Sequence, residues 1–188
     1  MSTSKSYHHS DLAGQLIKIG LDLLREVGPA DLSLRAVARR AGVSAMAPYR
    51  HFADKDALLA GIAGHGFDLF AKCLTDAAAR AATPAAGLRD QGCAYVGFAI
   101  AEPALFRLMF GPMISSDPAQ ASLARAGAPS FMALERAVQA AHPTADDAAR
   151  HIRILACWSV AHGLACLIVD GKIALSPDMI AQVIGTLS

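Results

Sequence analysis

The run Leu32-Ser33-Leu34-Arg35-Ala36-Val37-Ala38-Arg39-Arg40-Ala41-Gly42-Val43-Ser44 sets two helix-capping serines on either side of a glycine turn. Ser33 is of the residue type that accepts a hydrogen bond from the free N–H groups of a helix start, so it caps a short helix to about Arg40. Gly42 supplies a turn conformation that a Cβ would disfavour, and Ser44 is placed to cap another short helix to about Phe52. Leu34, Val37 and Ala38 face inward; the small Ala38 lets the second helix approach closely, and Val43 plugs the gap between the helices. Upstream, Leu12, Leu16, Ile19, Leu23 and Val27 recur at spacings of four, three, four and four, which predicts an amphipathic helix from about Ser10 to Val27 ended by Gly28-Pro29. Two short helices joined at Ala41-Gly42-Val43 after a longer amphipathic one have the layout of a helix-turn-helix. On periodicity alone, a plain helical hairpin explains the pattern equally well.

Downstream, proline and glycine punctuate the chain, because proline is favoured at a helix's first position and glycine just past its end. Asp54 caps a helix to about Ala81, and Thr83-Pro84 opens one to Ala101. Glu102-Pro103 opens a short helix closed by Gly111-Pro112. Asp117-Pro118 opens another, which Pro129 should break or bend before it ends at His142-Pro143. Thr144 is expected to cap a helix of roughly 26 residues ended by Gly171. Ser176-Pro177 opens the last, to about Leu187. No strand pattern or repeat competes, so the expected class is all-α.

Composition supports that class. Of the 188 residues, 54% are apolar and 18% charged, far from the disordered regime, and Ala dominates an apolar set with only 6% aromatics. The longest uncharged run, Ile154 to Val169, is sixteen residues, short of the about 20 that span a bilayer, and reads as a buried helix. With no secretory signal behind Lys5 and four cysteines (Cys73, Cys93, Cys157 and Cys166) lacking any CxxC spacing, the expectation is a cytoplasmic protein with reduced thiols. Net charge is only +1, but residues 1–55 carry eight basic groups against five acidic ones. Between Arg35 and Lys55, five of the six charged residues are basic, which is where an anionic polymer would be met.

The run from Leu32 to Ser44, followed by Tyr49-Arg50-His51-Phe52, Lys55 and Leu58-Leu59, closely resembles the DNA-binding domain of tetracycline-repressor (TetR) family transcription regulators. Tyr7-His8-His9-Ser10-Asp11-Leu12 looks like the N-terminal arm of one branch of that family, whose C-terminal domain carries a Trp-His-Gly signature. That domain is resembled in Trp158-Ser159-Val160-Ala161-His162-Gly163-Leu164-Ala165, in Asp170-Gly171, and in Phe98-Ala99 through Pro103-Ala104-Leu105-Phe106-Arg107-Leu108-Met109-Phe110-Gly111. The resemblance implies a homodimeric repressor divided into a helix-turn-helix domain over residues 1–55 and a ligand-sensing and dimerisation domain over residues 56–188. Its partners would be a pseudo-palindromic DNA operator and a small-molecule effector, with no cofactor and no membrane.

Carried over position by position, the resemblance has Ser33, Tyr49, His51 and Lys55 holding phosphates. Ser44 opens the reading helix, and Ala45, Met46 and Arg50 face base edges. A typical member has a basic residue, a glycine and a threonine where this chain has Ala45, Met46 and Ala47, leaving Arg50, apolar contacts with thymine methyls and DNA shape to carry specificity. Pro48 is expected to bias Ala47 away from α geometry and bend the reading helix. For the effector chamber the candidates are Phe67, Phe70, Tyr95, Phe98, Phe106, Met109, Phe110 and Trp158, joined more weakly by Met113 and Met132, with His162 as polar anchor. Each alone is ordinary core packing; together they are numerous enough to line a cavity between helices. Gly163, mid-helix, suggests close approach of a partner helix.

Other classes fare worse. The chain lacks a G-x-S-x-G, an H-E-x-x-H, a P-loop, a dinucleotide fingerprint and the Glu-x-x-His pairs of di-iron bundles, so no enzyme is expected. His162 and Cys166 share a helix face, but two ligands do not make a metal site. The alternative, a ligand-binding bundle without DNA function, leaves the basic Arg35–Lys55 segment unexplained.

Overall fold

The computed structural model describes residues 11–112 and 117–186, apart from the side chains of 117–120 and 122. Every regular element among them is helical: α1 (Leu12–Asp31), α2 (Leu34–Ala41), a 3₁₀ turn η1 (Pro48–Arg50), α3 (Lys55–Arg80), α4 (Pro84–Ala101), α5 (Pro103–Phe110), α6 (Asp117–Ala141), α7 (Asp147–Val169) and α8 (Pro177–Gly185). Ser10, the arm residues Tyr7 to His9, Met113 and Leu187 lie outside the described residues.

Local chemistry starts most of these helices. Side chains of Asp11, Ser33, Asp54, Thr83 and Ser176 each accept a hydrogen bond from the backbone N–H three residues on, which satisfies one of the donors every helix start leaves free. The cap of α7 is Asp146, which accepts from Ala149 N–H at 2.7 Å, and not Thr144. Ala145 N–H still bonds the His142 carbonyl, so the turn out of α6 carries past Thr144 before the next helix can begin. Gly28 takes a positive φ of 76° and breaks the first helix after Val27; Pro29 starts one further turn. Pro129 does not break α6. It stands on an exposed face, and beside it Ser130 Oγ donates to the Gly127 carbonyl at 2.7 Å.

α3 is the axis of the molecule, packing against α1, α4, α5 and α6. Its first half presents Leu58, Leu59 and Ile62 to the α1–α2 unit, and its second half presents Phe67, Phe70 and Leu74 to the bundle, all within one continuous apolar core. Glycines allow the closest approaches: a Cβ on Gly20 of α1 would sit 2.7 Å from Ile62 Cδ1, and one on Gly66 would sit 2.8 Å from Leu105 Cδ1 of α5. A smaller apolar cluster of Leu88, Ala137, Val138, Ile154 and Cys157 joins α4, α6 and α7.

Candidate functional site

The α1–α2 unit exposes a basic head. Gly42 ends α2 in the left-handed region at φ 67°, its N–H bonding back to the last carbonyls of the helix, so the chain turns sharply there. The stretch after it differs from the expected helix. From Ser44 to His51 the bonds run i to i−3 (Ala47 to Ser44, Arg50 to Ala47, His51 to Pro48), and only Phe52 N–H closes an i−4 ring, onto Pro48. Pro48 has no N–H to give the Ser44 carbonyl, so the first α-helical bond cannot form and the backbone tightens into a 3₁₀ turn. Ala47 nonetheless keeps α geometry at φ −62°, ψ −43°, contrary to the expected effect of the following proline.

Pro48 and Phe52 are buried, and these two anchors leave Ser44, Ala45, Met46, Tyr49, Arg50 and His51 outside. Met46 is 67% exposed. Ser33 is exposed but already engaged as the α2 cap, and Lys55, at the first turn of α3, donates through Nζ to the Ala30 carbonyl at 2.9 Å. Of the arginines, Arg35, Arg39 and Arg50 are exposed, whereas Arg40 makes a bidentate pair with Glu26 at 2.6 Å on both arms. Its guanidinium and the Glu26 carboxylate hold each other in the charged form.

A cavity of about 540 Å³ lies between α3, α4, α6 and α7. Phe67, Phe70, Tyr95, Met109, Phe110 and Trp158 line it. The rings meet edge to face: Phe70 and Tyr95 at 4.8 Å, Phe67 and Phe110 at 5.3 Å, Phe131 and Trp158 at 5.6 Å between centroids. Phe98 and Phe106 stand one layer behind, Phe98 against Phe70 and Phe106 against Phe110, while Met132 is half exposed.

His162 does not reach the cavity as its polar anchor. Its Nδ1 lies 2.8 Å from the Tyr95 hydroxyl and its Nε2 3.5 Å from Cys166 Sγ, so both ring nitrogens face protein groups behind the wall. Burial pushes the His162 pKa down and the Tyr95 and Cys166 pKa values up, which keeps all three neutral near pH 7. Among the described residues no cluster of His, Cys, Asp or Glu could hold a metal ion.

Among the described polar residues bordering the cavity, Gln91, on α4, is the one whose side-chain amide is left unpaired. It is 3% exposed, and neither Oε1 nor Nε2 has a hydrogen-bond partner in the protein. A readable signal existed: Leu88, Gln91, Tyr95 and Phe98 recur at helical spacing, placing an amide in an otherwise apolar stripe.

Two links tie the cavity to the head. α5 carries the lining residues Met109 and Phe110, and Glu102 at its N-cap takes a bidentate pair from Arg25 of α1, at 2.9 and 2.7 Å. At its other end, Arg107 bonds the Val169 carbonyl and the Asp170 carboxylate at the close of α7.

A fold that is helical throughout the described residues, with an exposed basic helix-turn-helix head and an apolar chamber among its later helices, has the build of a DNA-binding regulator. The family model described as "Bacterial regulatory proteins, tetR family" matches residues 16–62, and "Tetracyclin repressor-like, C-terminal domain" matches 88–184, more than half of the 188 residues. The chain belongs to the TetR family of DNA-binding transcriptional regulators. No curated protein matches it by sequence. Among solved structures, a Rhodococcus sp. RHA1 protein of unknown function is 28% identical, with 97% of this chain and 96% of that one covered and a TM-score of 0.78. A TetR/AcrR family regulator from Thermobifida fusca YX-ER1 is 19% identical (93% and 94% covered, TM-score 0.68). FadR from Bacillus subtilis, solved in complex with stearoyl-CoA, is 12% identical (93% and 97% covered, TM-score 0.73); these last two likenesses concern the fold.

Proposed function

We propose that the protein is a homodimeric repressor of the Trp-His-Gly branch, released from a pseudo-palindromic operator when a mainly apolar small molecule enters the chamber. The observation that carries this reading is the mechanical continuity of the two sites. α3 runs unbroken from Lys55, beside the head, to Phe67, Phe70 and Leu74 on the cavity wall, and the Arg25–Glu102 pair ties α1 to α5. A molecule in the cavity, bearing on Phe67 and Phe70 of α3 and on Met109 and Phe110 of α5, tilts the head through both connections. Typical coupling of about 1 to 3 kcal/mol changes operator affinity roughly 5- to 150-fold.

In this reading residues 1–55 form the DNA-binding domain and residues 56–188 the sensing and dimerisation domain. Arg50 and Met46 face base edges, and Ser33, Tyr49, His51 and Lys55 hold phosphates. The dimer forms on α7 and α8. Both α3 and α7 are long and apolar enough to cross a bilayer by length and composition, but α3 is the packed axis of the bundle. On α7, Ile152, Leu155, Ser159 and Leu167 are exposed in the protomer, and a Cβ on Gly163 would meet nothing within 4 Å. In this reading a second copy, and not a membrane, covers this face and gives Gly163 its reason, and the protein works in the cytoplasm.

Titration of duplex binding against salt tests the DNA role. Arg50→Ala should cost about 1 to 3 kcal/mol and relax one position, whereas Lys55→Ala should weaken all sequences and lower the salt slope by about one. Uniform losses in both variants would remove the base-reading role of Arg50.

A further inference from the structure

We propose that the chamber selects a neutral, mainly apolar molecule bearing a primary amide or lactam edge, gripped by Gln91; the inference rests on the reading of the cavity as the effector site. Most polar groups around the cavity are already engaged. Ser130 Oγ donates to the Gly127 carbonyl, and the Tyr95 hydroxyl is held by His162. Arg89, the one charged residue among the described lining residues, bonds Asp90 Oδ1 through both Nε and Nη2 at 3.1 and 2.9 Å.

Gln91 alone offers an unused donor and an unused acceptor, side by side on one planar group and nine-tenths buried or more. Leaving a buried donor or acceptor unpaired is costly, so occupancy is favoured most by a ligand group that satisfies both at once. That group must itself present an acceptor next to a donor, as the cis edge of a lactam or a primary amide does. A carboxylate can take the Nε2–H but sets its negative charge against Oε1 of Gln91. An N,N-dialkyl amide offers no donor. The rest of the molecule must be apolar and compact enough for about 540 Å³ walled by aromatic rings.

The chain's single tryptophan, Trp158, lines the chamber and serves as reporter. Full-length protein is titrated with decanamide, N,N-dimethyldecanamide and decanoate, which share one apolar tail, while Trp158 fluorescence and thermal stability are followed. Decanamide is expected to bind roughly tenfold or more tighter than the other two. Gln91→Leu should abolish that preference, retain binding of the tail and raise the Tm of the ligand-free protein. Gln91→Met, unbranched and similar in length, serves if the leucine variant does not fold, and the wild-type comparison stands without either. Equal affinities for the three probes, or a preference that survives in the variant, would overturn the inference while leaving the chamber reading intact. Absence of any fluorescence or Tm response to all three would overturn both.

Discussion

His162 sits at the back of the chamber wall with Tyr95 on one nitrogen and Cys166 on the other, packed against the Phe106 and Phe110 rings. Burial lowers its pKa below the ordinary 6.5, so the folded state resists a proton that the unfolded chain accepts. The contribution of His162 to stability is therefore full above the unfolded pKa and declines as pH falls through it toward the folded value. Thermal unfolding at pH 7.5 and 5.5 should show a smaller acid-induced drop in Tm for His162→Gln than for the wild type; an equal drop would remove His162 from the acid response. Gly42 makes a second residue-level test. Nothing lies within 4 Å of a Cβ built there, so the cost of Gly42→Ala is backbone strain alone at φ 67°. It should come to about 1 to 2 kcal/mol, seen as a Tm lower by at least roughly 2 °C.

The short helix α5 has a larger role than its eight residues suggest. It touches the cavity through Met109 and Phe110, α1 through Glu102, α3 through Leu105 and the end of α7 through Arg107. The Arg25–Glu102 pair is partly exposed, so Glu102→Ala should cost stability no more than about 1 kcal/mol. Gly66→Ala is different, because its new Cβ would meet Leu105 Cδ1 at 2.8 Å and Met109 Sδ at 2.9 Å. Overpacking there should cost about 1 to 3 kcal/mol, partly offset by the helix preference of alanine, and chemical denaturation of the two variants compares them directly.

Local chemistry explains why most helix starts were legible: Ser33, Asp54, Thr83 and Ser176 act on the backbone three residues away and need no tertiary partner. The reading element was less legible because its shape depends on Pro48 and Phe52 being pulled into the core as well as on the missing N–H. For α7, Thr144 and Asp146 are both good caps, and only the turn out of α6 chooses between them. Tertiary contacts decided the chamber too. His162 is taken up by Tyr95 from a different helix, a pairing that no sequence period reveals, whereas the helical spacing of Leu88, Gln91, Tyr95 and Phe98 did place the Gln91 amide on the apolar stripe.

α7 leaves an apolar face uncovered in the protomer. Its most apolar eighteen-residue window has a mean hydropathy of 1.9 yet is only 28% buried, and Ile152 alone is 67% exposed. Gly163→Arg should leave the protomer folded, because the side chain enters open space, but should convert the dimer to monomer in sedimentation. Gly97→Arg, at an equally open position on α4, should leave the dimer intact. A wild-type monomer at micromolar concentration would contradict the assignment. Operator recognition is tested by selecting bound duplexes from a random library with the full-length protein and with Arg50→Ala. The wild type should enrich a pseudo-palindrome with two half-sites, and the variant the same motif relaxed at one position in each half-site. Failure to enrich any motif, with binding indifferent to salt and unchanged by Arg50→Ala, would contradict operator recognition.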